Sequence, residues 1–199
     1  MEYKKYKVDI IIPTYHPDEK VVIMVQKLLK QVYPIHEIHI VDTETGVFPK
    51  RLYELSDKIR ITKITKEEFD HGGTRRKAAE ESDADILVFM TQDAMPLDTR
   101  LISELLKPFE DERVGVSYAR QVADKSCGEI ERYTRNFNYP KESILKAYED
   151  IEKMGIKAFF CSNVCAAYRK SVYDVLGGFE KRTIFNEDSI MAAKMLGAG

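Results

Sequence analysis

The run Ile86-Leu87-Val88-Phe89-Met90 constrains this chain more than any other stretch. Five apolar side chains in an unbroken row leave no polar face. Such a segment suits a strand covered on both sides, as in a parallel sheet between layers of helix. The row gives way to Thr91-Gln92-Asp93-Ala94-Met95-Pro96, and Pro96 cannot extend a ladder because it has no N–H to donate. In open α/β sheets ligands bind beyond the carboxyl ends of the strands. Asp93 therefore emerges where a ligand would lie, although a single acid there serves equally well as a helix cap.

The rest of the chain repeats that design. Val8-Asp9-Ile10-Ile11-Ile12 reads as a buried strand ended by Pro13, and Glu37-Ile38-His39-Ile40-Val41 as a second, closing on Asp42. Short strands are predicted over 60–64 and 114–118. Residues 19–32 place Val21, Val25, Leu28 and Val32 at helical spacing. Further helices are predicted over 49–55, 75–81 and 99–109, with His71-Gly72-Gly73-Thr74 as a glycine turn before the second of these. This alternation predicts an α/β fold, a doubly wound, mostly parallel sheet with helices on both faces. Past Gln121 the rhythm fades. Residues 123–140 read as irregular, 143–153 as a helix and 158–168 as a strand pair or a strand and turn. Asn186 reads as the cap of a last helix over 187–196.

At 199 residues the chain is long enough for one sizeable α/β domain, and it shows no repeat or linker. Its last residues form an apolar, helix-like run through Met195 and Leu196, so a C-terminal portion is expected beyond them. A net charge of -2 leaves no basic excess for nucleic acid, and Lys4, Lys5 and Lys7 form only a small patch. The three cysteines lack a CxxC pair, which fits a reduced, cytoplasmic protein. No apolar run approaches the roughly 20 residues that span a bilayer.

On such a sheet Thr14 and Tyr15, Asp42 and Thr43, and Gln92 and Asp93 share one rim. The helix after Gly72-Gly73 is expected to add free backbone donors there, with Arg75 and Arg76 as cations. Helix N-termini and guanidinium groups both favour phosphate. Anion donors, acids that accept from hydroxyl groups and one aromatic face together suit a nucleotide diphosphate. The dinucleotide fingerprint GxGxxG, the P-loop, HExxH and GxSxG are all absent, which disfavours NAD enzymes, NTPases and common hydrolases. The histidines show no ligand spacing. His39 reads as structural, and His71 beside the glycines is the one to watch. A literal DxD, Asp83-Ala84-Asp85, precedes the organising strand and so falls at the wrong edge of the sheet.

In order and spacing these segments resemble the inverting family 2 glycosyltransferases of the GT-A fold, over nearly the whole chain. The resemblance rests on Ile11-Ile12-Pro13-Thr14-Tyr15, Val41-Asp42, His71-Gly72-Gly73-Thr74-Arg75, Thr91-Gln92-Asp93-Ala94-Met95-Pro96, Gly177-Gly178-Phe179 and Asn186-Glu187-Asp188. Thr-Gln-Asp followed by Ala points to the bacterial rhamnosyltransferase-like branch.

The resemblance implies a metal-dependent catalytic domain. It would move a sugar, rhamnose within this branch, from a nucleotide-diphosphate donor (dTDP-rhamnose or a UDP-sugar) to a saccharide or lipid-linked acceptor. The setting would be cell-surface polysaccharide synthesis, in the cytoplasm or at the inner face of the plasma membrane. Pro13, Thr14, Tyr15, Asp42, Gly73, Arg75, Gln92 and Asp93 would hold the nucleotide sugar. Asp93 would also bind Mg2+ or Mn2+, and Asp188 would be the general base, with Glu187 orienting it or binding acceptor. The chain departs from the family pattern at Thr43, Arg76 and Thr91, the last standing where the first DxD acid is usual. It also has no histidine after His71, where family members often place a metal ligand.

Two other readings compete. A sugar-1-phosphate nucleotidyltransferase would need a glycine- and arginine-rich first loop, which Thr14-Tyr15-His16-Pro17 is not. A non-catalytic nucleotide-sugar-binding module would tolerate the missing acid. Asn186 as a plain N-cap, with acids in the first helical turn, is the structural alternative for the last motif. Tyr133, Phe137 and Tyr139 could stack on a sugar, but a segment packed on the core is the simpler expectation.

Overall fold

Every residue of Ile86–Met90 is buried, as its lack of a polar face requires. In the computed structural model, which describes residues 6–124 and 127–198, this strand is β4 of a six-stranded sheet. Lys4 and Lys5 of the expected basic patch lie outside the described residues. The other strands are β1 (Val8–Tyr15), β2 (Glu37–Thr43), β3 (Ile59–Ile64), β5 (Val116–Tyr118) and β6 (Cys165–Arg169). Their order is β3-β2-β1-β4-β6-β5. The first four run parallel, and β6 alone is antiparallel to both its neighbours.

Alternation along the strands sends side chains to two cores. Val8, Ile10, Ile12, Ile86 and Val88 meet α1 (Glu19–Leu29) and α3 (Leu101–Leu106) on one face. Ile11, Leu87, Phe89 and Tyr168 form the other, with α2 (His71–Glu80) and the aromatic residues Tyr173 and Phe179. The chain winds from β1 out to β3 and then restarts at β4 on the other side of β1. The crevice between β1 and β4 is thus the switch point where α/β sheets bind ligands.

Several boundaries differ from the sequence reading. Pro13 does not end β1, which continues to Tyr15. Pairing with β4 stops at Ile11↔Phe89 while pairing with β2 runs on through Pro13↔Val41, so the strand is one-sided where proline sits. The first helix stops at Leu29 rather than Val32, and Val32 is exposed. The glycine "turn" is the first turn of α2 itself. The segment read as irregular holds α4 (Glu129–Asn138), a helix with no buried residue. The predicted helix over 143–153 shrinks to a 3-10 turn at Tyr148–Asp150 and α5 (Ile151–Met154). Then come α6 (Lys170–Val175) and α7 (Glu187–Gly197). Asn186 adopts a left-handed φ of 68° and caps nothing with its side chain. Cys161 and Cys165 are buried and Cys127 is half-buried; all three are free thiols. Among the described residues no helix is long and apolar enough to cross a membrane.

Candidate active site

The rim at the switch point is built from strand ends. Thr14 and Asp42 end adjacent parallel strands in register, so the Thr14 hydroxyl reaches the Asp42 carboxylate at 2.9 Å. Asp42 is 1% exposed, and burial raises its pKa against the lowering effect of that hydrogen bond. Tyr15 turns its ring outward. Its backbone is held across the crevice by Gln92, whose amide accepts from Tyr15 N–H at 2.9 Å and donates to Tyr15 C=O at 3.0 Å. This amide imitates a missing ladder rung where the β1–β4 pairing has stopped. Gln92, expected to touch the nucleotide, is thereby committed to the scaffold.

The start of α2 differs more from expectation. Asp70 caps it, accepting from Gly72 N–H at 3.0 Å and Gly73 N–H at 2.7 Å, and it also accepts from Arg182 N–H at 3.2 Å. The backbone donors expected to be free for phosphate are therefore occupied by a carboxylate. Both glycines are explained by close approach. A Cβ on Gly73 would lie 2.1 Å from the Asp70 carboxylate, and one on Gly72 would lie 1.8 Å from the carbonyl oxygen of Glu180.

The two arginines are likewise engaged. Arg76 pairs with Glu80 at 2.9 Å. Arg75 is 5% exposed, donates to His71 C=O at 2.8 Å and pairs with the buried Glu187 at 3.5 Å. Desolvation lowers the Arg75 pKa, opposed first by the Glu187 charge. In this conformation neither arginine is offered to a ligand at the rim. His71 is exposed and edge-on to Phe69.

Asp188, in the first turn of α7, is partly buried. Its carboxylate accepts from Asn163 N–H at 3.0 Å and from Ser189 N–H at 2.7 Å. Burial raises its pKa, the neighbouring Glu187 charge adds to the rise, and the two backbone bonds and Arg75 oppose it. Asn163, which the sequence reading missed, is 3% exposed and donates from its side chain to Glu187 at 3.1 Å. The next residue, Val164, accepts from Thr91 N–H at 3.2 Å. A bonded path thus runs from Thr14 and Tyr15 through Gln92 and Thr91 to Asp188, which puts the expected base on the same rim as the end of β4.

Asp93 is exposed and has no hydrogen-bond partner among the described residues. Thr43 Oγ1, Arg75 Nε and Thr91 Oγ1 are buried without partners among the described residues, and all three lie at this end of the molecule. A second set of ligand-type atoms, on Asp9, His36 and Asp83, sits at the opposite edge. There Asp9 is bonded to His36 at 2.7 Å and to Ser82 at 2.5 Å, and Asp83 to Lys7 at 2.6 Å. With the Lys7 ammonium on one acid and His36 and Ser82 on the other, that cluster is satisfied without a metal.

The aromatic residues divide. Tyr139 packs into the core edge-on to Tyr118 and Phe160, as the simpler reading expects. Tyr133 and Phe137 instead stack on each other on the exposed face of α4, with the Lys157 ammonium 4.0 Å from the Phe137 ring centre.

Comparison with known proteins agrees with this architecture. Residues 9–177 match the profile of glycosyl transferase family 2. The chain is 39% identical over 195 residues to the O-antigen chain rhamnosyltransferase RfbN of Salmonella typhimurium, covering 97% of this chain and 62% of that protein. It is 44% identical over 140 residues to the O-antigen chain rhamnosyltransferase WbaN of Salmonella anatum, covering 70% of this chain and 44% of that protein. The chain therefore spans less than two thirds of these relatives' length.

Among solved structures, the mannosyltransferase PcManGT from Pyrobaculum calidifontis, in complex with GDP-Man and Mn2+, is similar with a TM-score of 0.69. The identity is 20%, covering 97% of this chain and 52% of that one. S. aureus TarS 1-349 in complex with UDP-GlcNAc is similar with a TM-score of 0.72 at 15% identity, covering 96% and 53%. These likenesses establish the GT-A fold.

Proposed function

This chain belongs to glycosyl transferase family 2, and from that premise we propose that it binds a nucleotide-diphosphate sugar at the β1–β4 crevice and transfers the sugar with inversion. By likeness to the two O-antigen rhamnosyltransferases, the donor is dTDP-rhamnose and the acceptor a growing saccharide or lipid-linked glycan of the cell surface. The observation that carries the reading is the Asp188 carboxylate, fixed by two backbone N–H groups on the rim where β4 ends.

In this scheme the exposed Tyr15 ring takes the nucleobase, while Asp42 and Thr14 form the floor of the crevice beneath it. Asp188 accepts the acceptor hydroxyl's proton as that oxygen attacks the anomeric carbon. The bond from that carbon to the diphosphate breaks on the opposite face, and the nucleoside diphosphate leaves. A carboxylate with a raised pKa suits a base that must work near neutral pH.

Asp93 is the side chain that would hold Mg2+ or Mn2+. An exposed carboxylate without a partner among the described residues offers the oxygen donors such ions prefer, with donor phosphates and water filling the shell. When bound, the ion would supply positive charge to the departing diphosphate. That service matters here because the α2 amides and Arg75 are already engaged.

A thermal-shift panel of dTDP-, UDP- and GDP-sugars, with and without Mn2+, tests the donor, since a ligand that binds only the folded state raises its apparent stability. Stabilisation by dTDP-rhamnose above the others is expected. Loss of transfer by about 100-fold or more in Asp188→Asn is expected alongside it. No shift with any nucleotide sugar would overturn the reading in favour of another role for the fold.

A further inference from the structure

We propose that Asn163 is the positioning residue for Asp188, fixing its carboxylate from a main chain that its own side chain locks in place. The inference rests on the reading of Asp188 as the base. It concerns a residue that no motif of the family resemblance includes.

All the polar atoms of Asn163 that face the site are used. Its N–H donates to Asp188 at 3.0 Å and its side-chain amide N–H to Glu187 at 3.1 Å, while its side-chain oxygen accepts from the Tyr168 hydroxyl at 2.9 Å. Each anchor is itself buried. Tyr168 is fully buried, with Phe89, Tyr173 and Phe179 rings 5.4 to 6.0 Å from its own. Its buried hydroxyl donates to the Asn163 oxygen and lies 3.4 Å from the Cys161 sulfur. Glu187 is pinned by Arg75.

The result is a line of contacts from α2 through Arg75, Glu187 and Asn163 to the Tyr168 of β6. Asn163 is the member whose main-chain N–H donates to the carboxylate of the base. Its neighbour Val164 carries the carbonyl that accepts from Thr91 N–H, so the same dipeptide sets the spacing between Asp188 and the end of β4. A side chain at 163 must donate on one side and accept on the other, and the asparagine amide does both from two separate atoms without a charge.

Asn163→Asp separates this role from space filling. It keeps the shape and the acceptor for Tyr168, loses the donor to Glu187, and sets two carboxyl groups against each other. Tyr168→Phe removes one oxygen and frees the Asn163 side chain from the other end. Both are compared with wild type and Asp188→Asn in the full-length protein, with melting temperature, donor KM and kcat recorded.

The expected result is a kcat lower by about tenfold or more in Asn163→Asp and by a smaller factor in Tyr168→Phe, as misplacement of a reacting group predicts. Donor KM should change less than kcat in both, because Thr14, Tyr15 and Asp42, which take the nucleoside in this reading, lie on β1 and β2, away from Asn163. If Asn163→Asp melts below the assay temperature, Tyr168→Phe carries the test. Unchanged kcat in folded variants, with Asp188→Asn inactive, would overturn the positioning role alone. Activity in Asp188→Asn would overturn the base assignment and the inference with it.

Discussion

The two edges of the sheet carry similar chemistry in opposite conditions. At the amino edge, Asp9 is bonded to His36 and Ser82, Asp83 is paired with Lys7, and Arg60 ties Glu37, Glu81 and His39 together at 2.6 to 2.9 Å. At the carboxyl rim Asp93 stands without a described partner, and three buried polar atoms are left over. A count of acids and histidines would favour the amino edge, which even holds a literal DxD. Hydrogen-bond accounting favours the rim, because a buried polar atom without a partner costs free energy that a bound ligand or water can recover. The lesson is that a site is marked less by which ligand atoms are gathered than by which of them remain unused.

The largest expected effect probes the buried Arg75–Glu187 charge pair behind the rim. Arg75→Met leaves Glu187 buried and uncompensated, which should cost about 3–5 kcal/mol in denaturant unfolding. Arg75→Met with Glu187→Leu should recover much of it. If the single variant is as stable as wild type, the pair is not a structural member of the rim.

The next sharpens the amino-side network through pH. His39 is buried, bonded to Thr62 and Arg60, and its pKa is lowered to about 4, mainly by burial and then by the Arg60 charge. The folded chain therefore holds this ring neutral while the unfolded chain protonates it near its ordinary value of about 6.5. Stability should be full above that value and decline as pH falls from about 6.5 to about 4, by an amount on the order of 3 kcal/mol. Comparing the pH dependence of unfolding in wild type and His39→Gln isolates this contribution; parallel curves would refute it.

The smallest effects contrast the edges directly. Asp93→Ala should weaken metal-dependent nucleotide-sugar binding by about tenfold or more, roughly 1.4 kcal/mol. Asp83→Ala should leave that binding unchanged and barely shift stability, as for an exposed ion pair. Titration calorimetry with Mn2+ present shows whether the two acids really differ.

Much of this was legible in the chain. The buried β4 and the arrival of Thr14, Asp42 and Gln92 at one rim follow from local patterns, and the structure brings them together; the strand order that makes the β1–β4 crevice a switch point does not follow from them. What was not legible depends on partners distant in sequence. Asp70 is an ordinary residue in the sequence, and nothing local says that it consumes the donors of Gly72 and Gly73 while also holding Arg182, 112 residues away. Asn163 has no motif, because Glu187 and Asp188 lie 24 and 25 residues further on. The exposed helix α4 escaped because periodicity reports burial, and this helix buries nothing.

The placement of the three thiols also gives the protein a chemical handle. Burial pushes Cys161 and Cys165 up to about 12, so at neutral pH neither supplies the thiolate that alkylation requires. Cys127, half-buried and two residues before α4, is left as the position a maleimide reaches first. A single fluorophore can be attached there without altering the sequence, reporting on the surface around Tyr133 and Phe137 rather than on the crevice.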